Sequence, residues 1–544
     1  MENKSVDAYQ KDIQRLENLT KKELVAIANK YFNDDVLIYR SNVGSKKTKT
    51  IEKPSWKPIT SHNADKQSDF ARDLEKYNSE PSKIQKINFE KDVTIIPVNN
   101  VFDLYASRNP CNDIFSLNLI FKHGTYHNPA LETAVDYFNL QGTQDKTFED
   151  FSLALQAVGA DMNLYTDDNH LVVSIDGFEK DFDKIITLCA EKLYKPANDK
   201  SKLNILVENH VNNMQVMKED CSAMGRVLYN YALYGKNSPY LQEPSTEQIK
   251  KYEGGELLEM IGRAMKSEGY VTYVGNQDPL AIMKSIQQHF ELYNTDNKKK
   301  KTLSVNTSKE FSSKKTTAEK DSKADKVRPV KNYQEAEIFL LHNSKFIQSN
   351  IYFYIPSKTV DAESKVRAKM FNEYYNGGMN GVIFQNIREL RSLGYSAYGY
   401  FSYDMLNRRN AYTMGFLGTQ SDKTIDGINA MSELLKNFYL KQEKFETAKL
   451  SLVKQYEADY ISFRDIPQQV YLWSLEGYES DPRSSLTTRT LGLKSNNIAD
   501  FFNNYIGNRP MIITIAGNMN RIKKKQLAKF GKITELNYKD VLND

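Results

Sequence analysis

One plan occurs three times along the chain: an amphipathic stretch, a short apolar run, and a turn rich in Gly and Asn. The copies are LTKKELVAIANKYFNDDVLIYRSNVG (19–44), GELLEMIGRAMKSEGYVTYVGNQD (255–278) and IADFFNNYIGNRPMIITIAGNMN (498–520). In each, apolar residues at helical spacing precede an extended run such as Val36-Leu37-Ile38-Tyr39 or Ile512-Ile513-Thr514-Ile515. A helix followed by a strand is therefore predicted for every copy.

The second and third copies close much longer units. The first of these runs from strand Phe115–Phe121 to a helix ending in DYFNLQGT, a second helix, strand HLVVSI (170–175) and helix FEKDFDKIITLCAEKL. The other has strand AEIFLL (336–341), a helix ending in EYYNGGMN, then FQNIREL, strand AYTMGFLGT (411–419) and helix KTIDGINAMSELLKNF. A strand-helix-helix-strand-helix order thus recurs in two units of roughly 200 residues each, a normal domain size. The class expected is α+β: two repeated α/β sandwiches, each a mostly antiparallel sheet with helices on one face. The first copy has no such unit ahead of it and reads as the tail of a third domain. The expected division is 1–45 for that tail, 46–85 for a linker, 86–290 for one domain, 291–332 for a Lys-rich linker and 333–544 for the last domain.

Composition narrows the function classes. Hydrophobic residues are 40% and charged residues 26%, and the net charge of +5 is too small to imply a polyanionic partner for the whole chain. The linker run Lys298-Lys299-Lys300-Lys301 is followed by interspersed Glu and Asp and by Phe311 as its one aromatic, which reads as a solvated segment and not as a nucleic-acid site. Cys111, Cys189 and Cys221 are odd in number and widely spaced, so neither a disulfide framework nor a zinc ribbon is expected, and each reads as a buried or idle thiol. No stretch approaches the roughly 18 apolar residues of a membrane span. The polar opening MENKSVDAYQKDIQRLENL does not read as a signal peptide.

The segment FNEYYNGGMNGVIFQNIRELRSLGYSAYG (371–399) is similar to the C-terminal domains of pitrilysin/insulinase-type peptidases. There a glycine-containing turn precedes a helix, an Arg, and, seven residues on, a Tyr; here these are Arg388 and Tyr395 within RELRSLGY. The likeness runs from about residue 10 to the closing AKFGKITELNYKDVL and is nearest to long bacterial members built of four such domains. It implies that this chain supplies the end of the second domain and all of the third and fourth. Two helical turns separate positions seven apart, so Arg388 and Tyr395 are expected on one side, where a guanidinium and a phenol can donate to a substrate carbonyl. In the family this pair faces zinc across a closed chamber and helps hold the peptide.

Active members of that family carry H-x-x-E-H, two His for Zn²⁺ with Glu as general base, and a further Glu downstream. The motif is absent here. Aligning Gly142-Thr143 with the Gly-Thr that follows the motif puts Thr133, Asp136 and Tyr137 in the ligand and base positions, while Glu208 matches the third ligand. His123 and His127, in FKHGTYHNPA, fall in an expected loop, and His210 lies two residues from Glu208, on a different helix face. No metal site and no catalytic residue are expected in this chain.

The resemblance implies the non-catalytic half or subunit of a zinc endopeptidase that encloses and degrades peptides or unfolded proteins. Arg388 and Tyr395 would bind substrate, and a zinc-bearing partner half would supply the metal. The alternative is a catalytically dead scaffold subunit of the same fold. Long bacterial relatives are exported, which implies the periplasm if this chain is a fragment of such a protein, or the cytoplasm if Met1 is the natural start.

Overall fold

The structure, a computed structural model, describes residues 6–32, 36–40, 68–77, 86–294, 327–389, 391, 393–394 and 396–544. Most of both expected linkers lies outside these residues. The chain divides into two compact units, Met1–Glu80 and Pro81–Asp544.

In the smaller unit, Thr20 starts the helix Lys21–Tyr31 with a capping box, as the T-x-x-E pattern of LTKKE requires. The Thr20 amide donates to Glu23 Oε2 at 2.8 Å, and the Glu23 amide donates to Thr20 Oγ1 at 3.3 Å. No residue of this helix is buried, and Leu24, Val25, Ile27 and Tyr31 stand exposed. The expected strand Val36–Tyr39 does not form, and these four side chains are exposed as well. A strand exists only by hydrogen bonding to a neighbour, and none pairs with this segment among the described residues.

The larger unit contains two six-stranded sheets. The first comprises β1 (Thr94–Pro97), β2 (Asp103–Arg108), β3 (Ile114–Phe121), β4 (Asp161–Thr166), β5 (Leu171–Phe178) and β6 (Gly269–Gly275), in the order β1-β2-β6-β3-β5-β4. The second comprises β7 (Glu337–His342), β8 (Gln348–Pro356), β9 (Ser396–Ser402), β10 (Tyr412–Gln420), β11 (Ile512–Gly517) and β12 (Lys532–Leu536), in the order β12-β7-β11-β8-β10-β9. Pairing is mostly antiparallel in both; β2–β6, β7–β11 and β7–β12 are parallel.

The closing copies of the repeat form as read, and their strands take the centre of each sheet. β6 inserts between β2 and β3, and β11 inserts between β7 and β8. Every residue of both strands is buried, which explains why YVTYVG and IITIAG are nearly continuous apolar runs and not alternating ones. Because a strand from late in the repeat completes the middle, each sheet closes only when most of the repeat has been assembled, a high-contact-order arrangement.

One face of each sheet carries the expected helices. On the first, these include α1 (Leu131–Asn139), α2 (Phe182–Tyr194) and, between Ala264 and its cap at Glu253, the helix preceding β6, with Tyr137, Phe138, Ile185, Leu257 and Ile261 in the core. On the second, helices Ala362–Asn376, Thr424–Lys436, Gln442–Ala458 and Ser495–Tyr505 do the same, around Phe371, Tyr375, Phe401 and Phe501.

The opposite faces are covered by an exchange. Helix α3 (Cys221–Tyr234), which belongs to the first repeat, packs on β8 and β11 of the second sheet. Helix α4 (Ile466–Leu475), from the second repeat, packs on β2 and β6 of the first sheet. Both are the third helix after the fifth strand in sheet order, so the repeat places them alike. In α3, Met224, Val227, Leu228 and Ala232 recur at helical spacing and are fully buried. Gly225 lets this helix close on the sheet, since a Cβ there would stand 2.8 Å from Asn350 Cβ. Tyr229 stacks on Tyr352 with centroids 4.8 Å apart. In α4, Tyr471 stacks on Tyr270 at 3.6 Å, and Trp473 lies parallel to Phe89 at 5.9 Å.

The second contact is fastened by a buried ion pair. Asp481 and Arg483 are 8% and 3% exposed; the Arg483 Nε–H donates to both Asp481 oxygens at 3.0 Å, and the Ile87 amide donates to Asp481 Oδ2 at 3.0 Å.

Candidate functional site

The residues at the family's zinc positions lie on α1, and they are committed to other work. Thr133 and Tyr137 are buried in the helix's packed side. The Tyr137 hydroxyl donates to Asn198 Oδ1 at 2.8 Å and is 3.1 Å from the Asp199 carbonyl. Asp136 faces outward one turn from Glu132; desolvation, then repulsion from Glu132, push its carboxyl up to about 6. Glu208 is exposed on the helix Lys202–Glu219. Among the described residues no three His, Cys, Asp or Glu side chains converge as a metal set would. Threonine and a hydrogen-bonded phenol in place of two imidazoles do not suit Zn²⁺.

His123 and His127 occupy the turn expected for them, with rings stacked 5.0 Å apart. Burial and the neighbouring His127 hold the His123 imidazole below its usual range. The three cysteines are free; Cys189 is buried and Cys221 partly so, whereas Cys111 is exposed, where the sequence reading allowed burial.

A second acid sits close to α1. Burial, then the Glu132 and Asp168 carboxylates against the opposing pull of Arg328, push Glu243 up to about 7. Arg328 itself is 4% exposed and bridges Asp168 Oδ1 at 2.9 Å, with its guanidinium over the rings of Tyr126 and Tyr234.

In the C-terminal repeat, the motif helix is a π-turn, Phe384–Glu389. Such wide turns shift the residues after them out of α-helical register. Arg388 is partly exposed there, its guanidinium 4.9 Å over the Phe384 ring and its Nε 3.7 Å from Glu389 Oε1. Beyond Glu389, the described residues Leu393 and Gly394 have no regular structure, and edge strand β9 begins at Ser396. Gly394 permits a close approach here, since a Cβ would lie 2.4 Å from the Gly418 carbonyl oxygen of β10. Tyr395 lies outside the described residues.

Next to this turn is a cleft of about 630 Å³, with Leu393 and Gly394 in one wall and Ser222 and Arg226 of α3 in another. Sheet register builds its floor in two rows. Phe416 of β10 lies opposite Tyr352 of β8 and Tyr398 of β9, with ring centroids 4.8 and 5.0 Å away. One pair further on, Gly418 lies opposite Asn350 and Ser396, so a polar trough adjoins the aromatic row. Lys423, in the turn after β10, closes the polar end. Neither Arg226 nor Lys423 was singled out by sequence reasoning. The available signals were Gly225 inside an apolar helical stretch and Gly418 inside a strand, each marking a close approach or a gap.

Residues 270–452 match the family model described as the peptidase M16 inactive domain, a span that includes Arg388. That segment is similar to an M16 inactive domain. Solved structures of similar fold include the M16 inactive domain from Pseudomonas fluorescens, at 16% identity and TM-score 0.61, covering 78% of this chain and 98% of that one. A protease from Helicobacter pylori matches at 12% identity and TM-score 0.58, covering 78% and 99%. The periplasmic protease PqqL from Escherichia coli matches at 10% identity and TM-score 0.58, covering 93% of this chain and 52% of PqqL. The chain thus spans about half of PqqL. No curated protein matched the sequence. At these identities the structural likeness concerns the M16 fold, which agrees with the pitrilysin-type resemblance read from RELRSLGY.

Proposed function

We propose that this chain is the non-catalytic half of an M16-type zinc endopeptidase and contributes peptide-binding wall to a half that carries the metal. One observation carries the reading: the helix that would hold zinc has Thr133 and Tyr137 locked into the core, while in the motif Arg388 is partly exposed and Leu393 and Gly394 line an open cleft. Arg388 and Tyr395 would donate hydrogen bonds to the carbonyl of a bound peptide. Extended peptide would add to an exposed sheet edge, for which β9 and β4 are the outer strands on the relevant sides. Selection would then depend on chain flexibility more than on sequence, suiting unfolded proteins. Zinc would come from the partner half. The likeness to a periplasmic protease supports an exported setting.

The test is to combine the full chain with a zinc-bearing M16 half and follow cleavage of an unstructured peptide. Arg388→Ala is expected to lower kcat/KM at least about tenfold, the scale of a lost charge-assisted hydrogen bond. A stable complex that cleaves equally well with Arg388→Ala would remove the proposed role. A stable complex that never cleaves peptide would favour the scaffold reading instead.

A further inference from the structure

The cleft between α3 and the second sheet has a charge and shape that the M16 reading does not itself require. Among the described residues, the cations Arg226 and Lys423 line it and no Asp or Glu does. The Arg226 side chain is exposed, and its hydrogen-bonding partner is the neutral phenol of Tyr240. It lines the cleft together with Tyr352 and Tyr398, close enough for its charge to act on both phenols. Lys423 Nζ lies 4.0 Å from Asp426 Oδ2, at the outer limit of an ion pair. A guanidinium and an ammonium left at one trough with no carboxylate lining it will favour an anion there, and Arg in particular suits a planar carboxylate.

The rest of the floor limits which anion fits. Ser396, Asn350 and Ser222 offer hydrogen-bonding groups around the gap left by Gly418, where a Cβ would meet no atom nearer than 3.6 Å. Directly alongside runs an aromatic row in which Tyr352 and Phe416 are buried and Tyr398, at the edge strand, stays partly exposed. A small inorganic anion would leave that row unused. A ligand with a carboxylate at one end and an apolar side chain at the other would cover both.

We propose that this cleft captures a peptide carboxylate, from a chain end or from an Asp or Glu side chain, with the adjoining apolar residue laid on Tyr398 at the open end of the aromatic row. This rests on the peptide-binding reading above and adds a polarity to it. One end of a bound peptide would be anchored beside the Leu393-Gly394 turn, and the remainder would extend from there along the motif.

The test uses the full chain and three fluorescent peptides of one sequence with an apolar C-terminal residue. One has a free carboxylate end, one a C-terminal amide, and one an amide end with Glu as its penultimate residue. The free acid, the Glu peptide or both are expected to bind about tenfold or more tightly than the neutral amide, and the pair identifies which carboxylate is used. Arg226→Gln, on an exposed helix position, is expected to erase that preference. Gly418→Leu, which fills the trough, is expected to do likewise through shape. Equal binding of all three peptides, or a preference that survives Arg226→Gln, would overturn the assignment while leaving peptide binding intact. Failure of every peptide to bind would overturn the broader reading along with it.

Discussion

Asp481→Ala is expected to lower folding stability by about 3–5 kcal/mol, because it leaves the Arg483 guanidinium buried without its counter-charge. The carboxylate is 8% exposed and accepts from the Arg483 side chain and from the amides of Arg483 and Ile87. Through Ile87 it ties the segment leading into the first sheet to the loop after α4, beside the Phe89–Trp473 stack. Truncation therefore loosens the hold of α4 on the first sheet as well as exposing a charge. In urea the variant's first transition should move to lower denaturant, with exchange of the Ile87–Val93 amides accelerating. The double variant Asp481→Ala, Arg483→Met should recover part of the loss, since the orphaned cation is gone. Acid should act in the same direction. Burial pushes the Asp481 carboxyl up, but hydrogen bonds from Arg483 and the Ile87 amide, with the Arg483 charge, outweigh it and hold the group below its usual range. A depressed carboxyl stabilises the fold above the ordinary range near 4, and that contribution is lost as pH falls through the lowered value.

Glu243→Gln is expected to act in the opposite sense, with an effect of about 3 kcal/mol at its largest. Glu243 stands at about 7 against an ordinary 4.5, for reasons of burial and the nearby Glu132 and Asp168 carboxylates, partly offset by Arg328. Its neutral form fits the site, so its stabilising contribution is full below about 4.5 and declines as pH rises through 7. A glutamine stays neutral throughout. Thermal unfolding of both proteins from pH 5 to 8.5 should show a gap that opens in favour of Glu243→Gln as pH rises, amounting to several degrees. Parallel curves would mean that Glu243 ionises without cost.

Much of the fold was legible because strands and helices write different periods. The alternation in Phe115–Phe121 and the unbroken apolar run of Ile512–Ile515 mark a half-exposed strand and a central one, and both formed where expected. Val36–Tyr39 has the same local signature and forms no strand, since strand structure depends on a partner that local sequence does not encode. The exchange of α3 and α4 was hidden for a related reason. Their apolar stripes, Met224-Val227-Leu228 and Val470-Tyr471-Trp473, announce burial without naming the sheet that provides it. The motif around Arg388 was legible as a family likeness, but its π-turn was not, because residue spacing alone does not mark a switch from i→i+4 to i→i+5 hydrogen bonding. The cleft was illegible altogether. Its floor is a set of cross-strand rows joining residues from 348 to 420, which exist only once β8, β9 and β10 are in register.

The proposed division of labour has this chain grip peptide while the hydrolytic metal resides elsewhere. The decisive measurement is titration of an unstructured peptide into the purified full chain, with and without a strong chelator, followed by mass analysis of the peptide. Saturable binding of equal strength in both conditions, with the peptide recovered intact, is the predicted result. Cleavage by this chain alone that stops when the chelator is added, with zinc bound one-to-one, would contradict it.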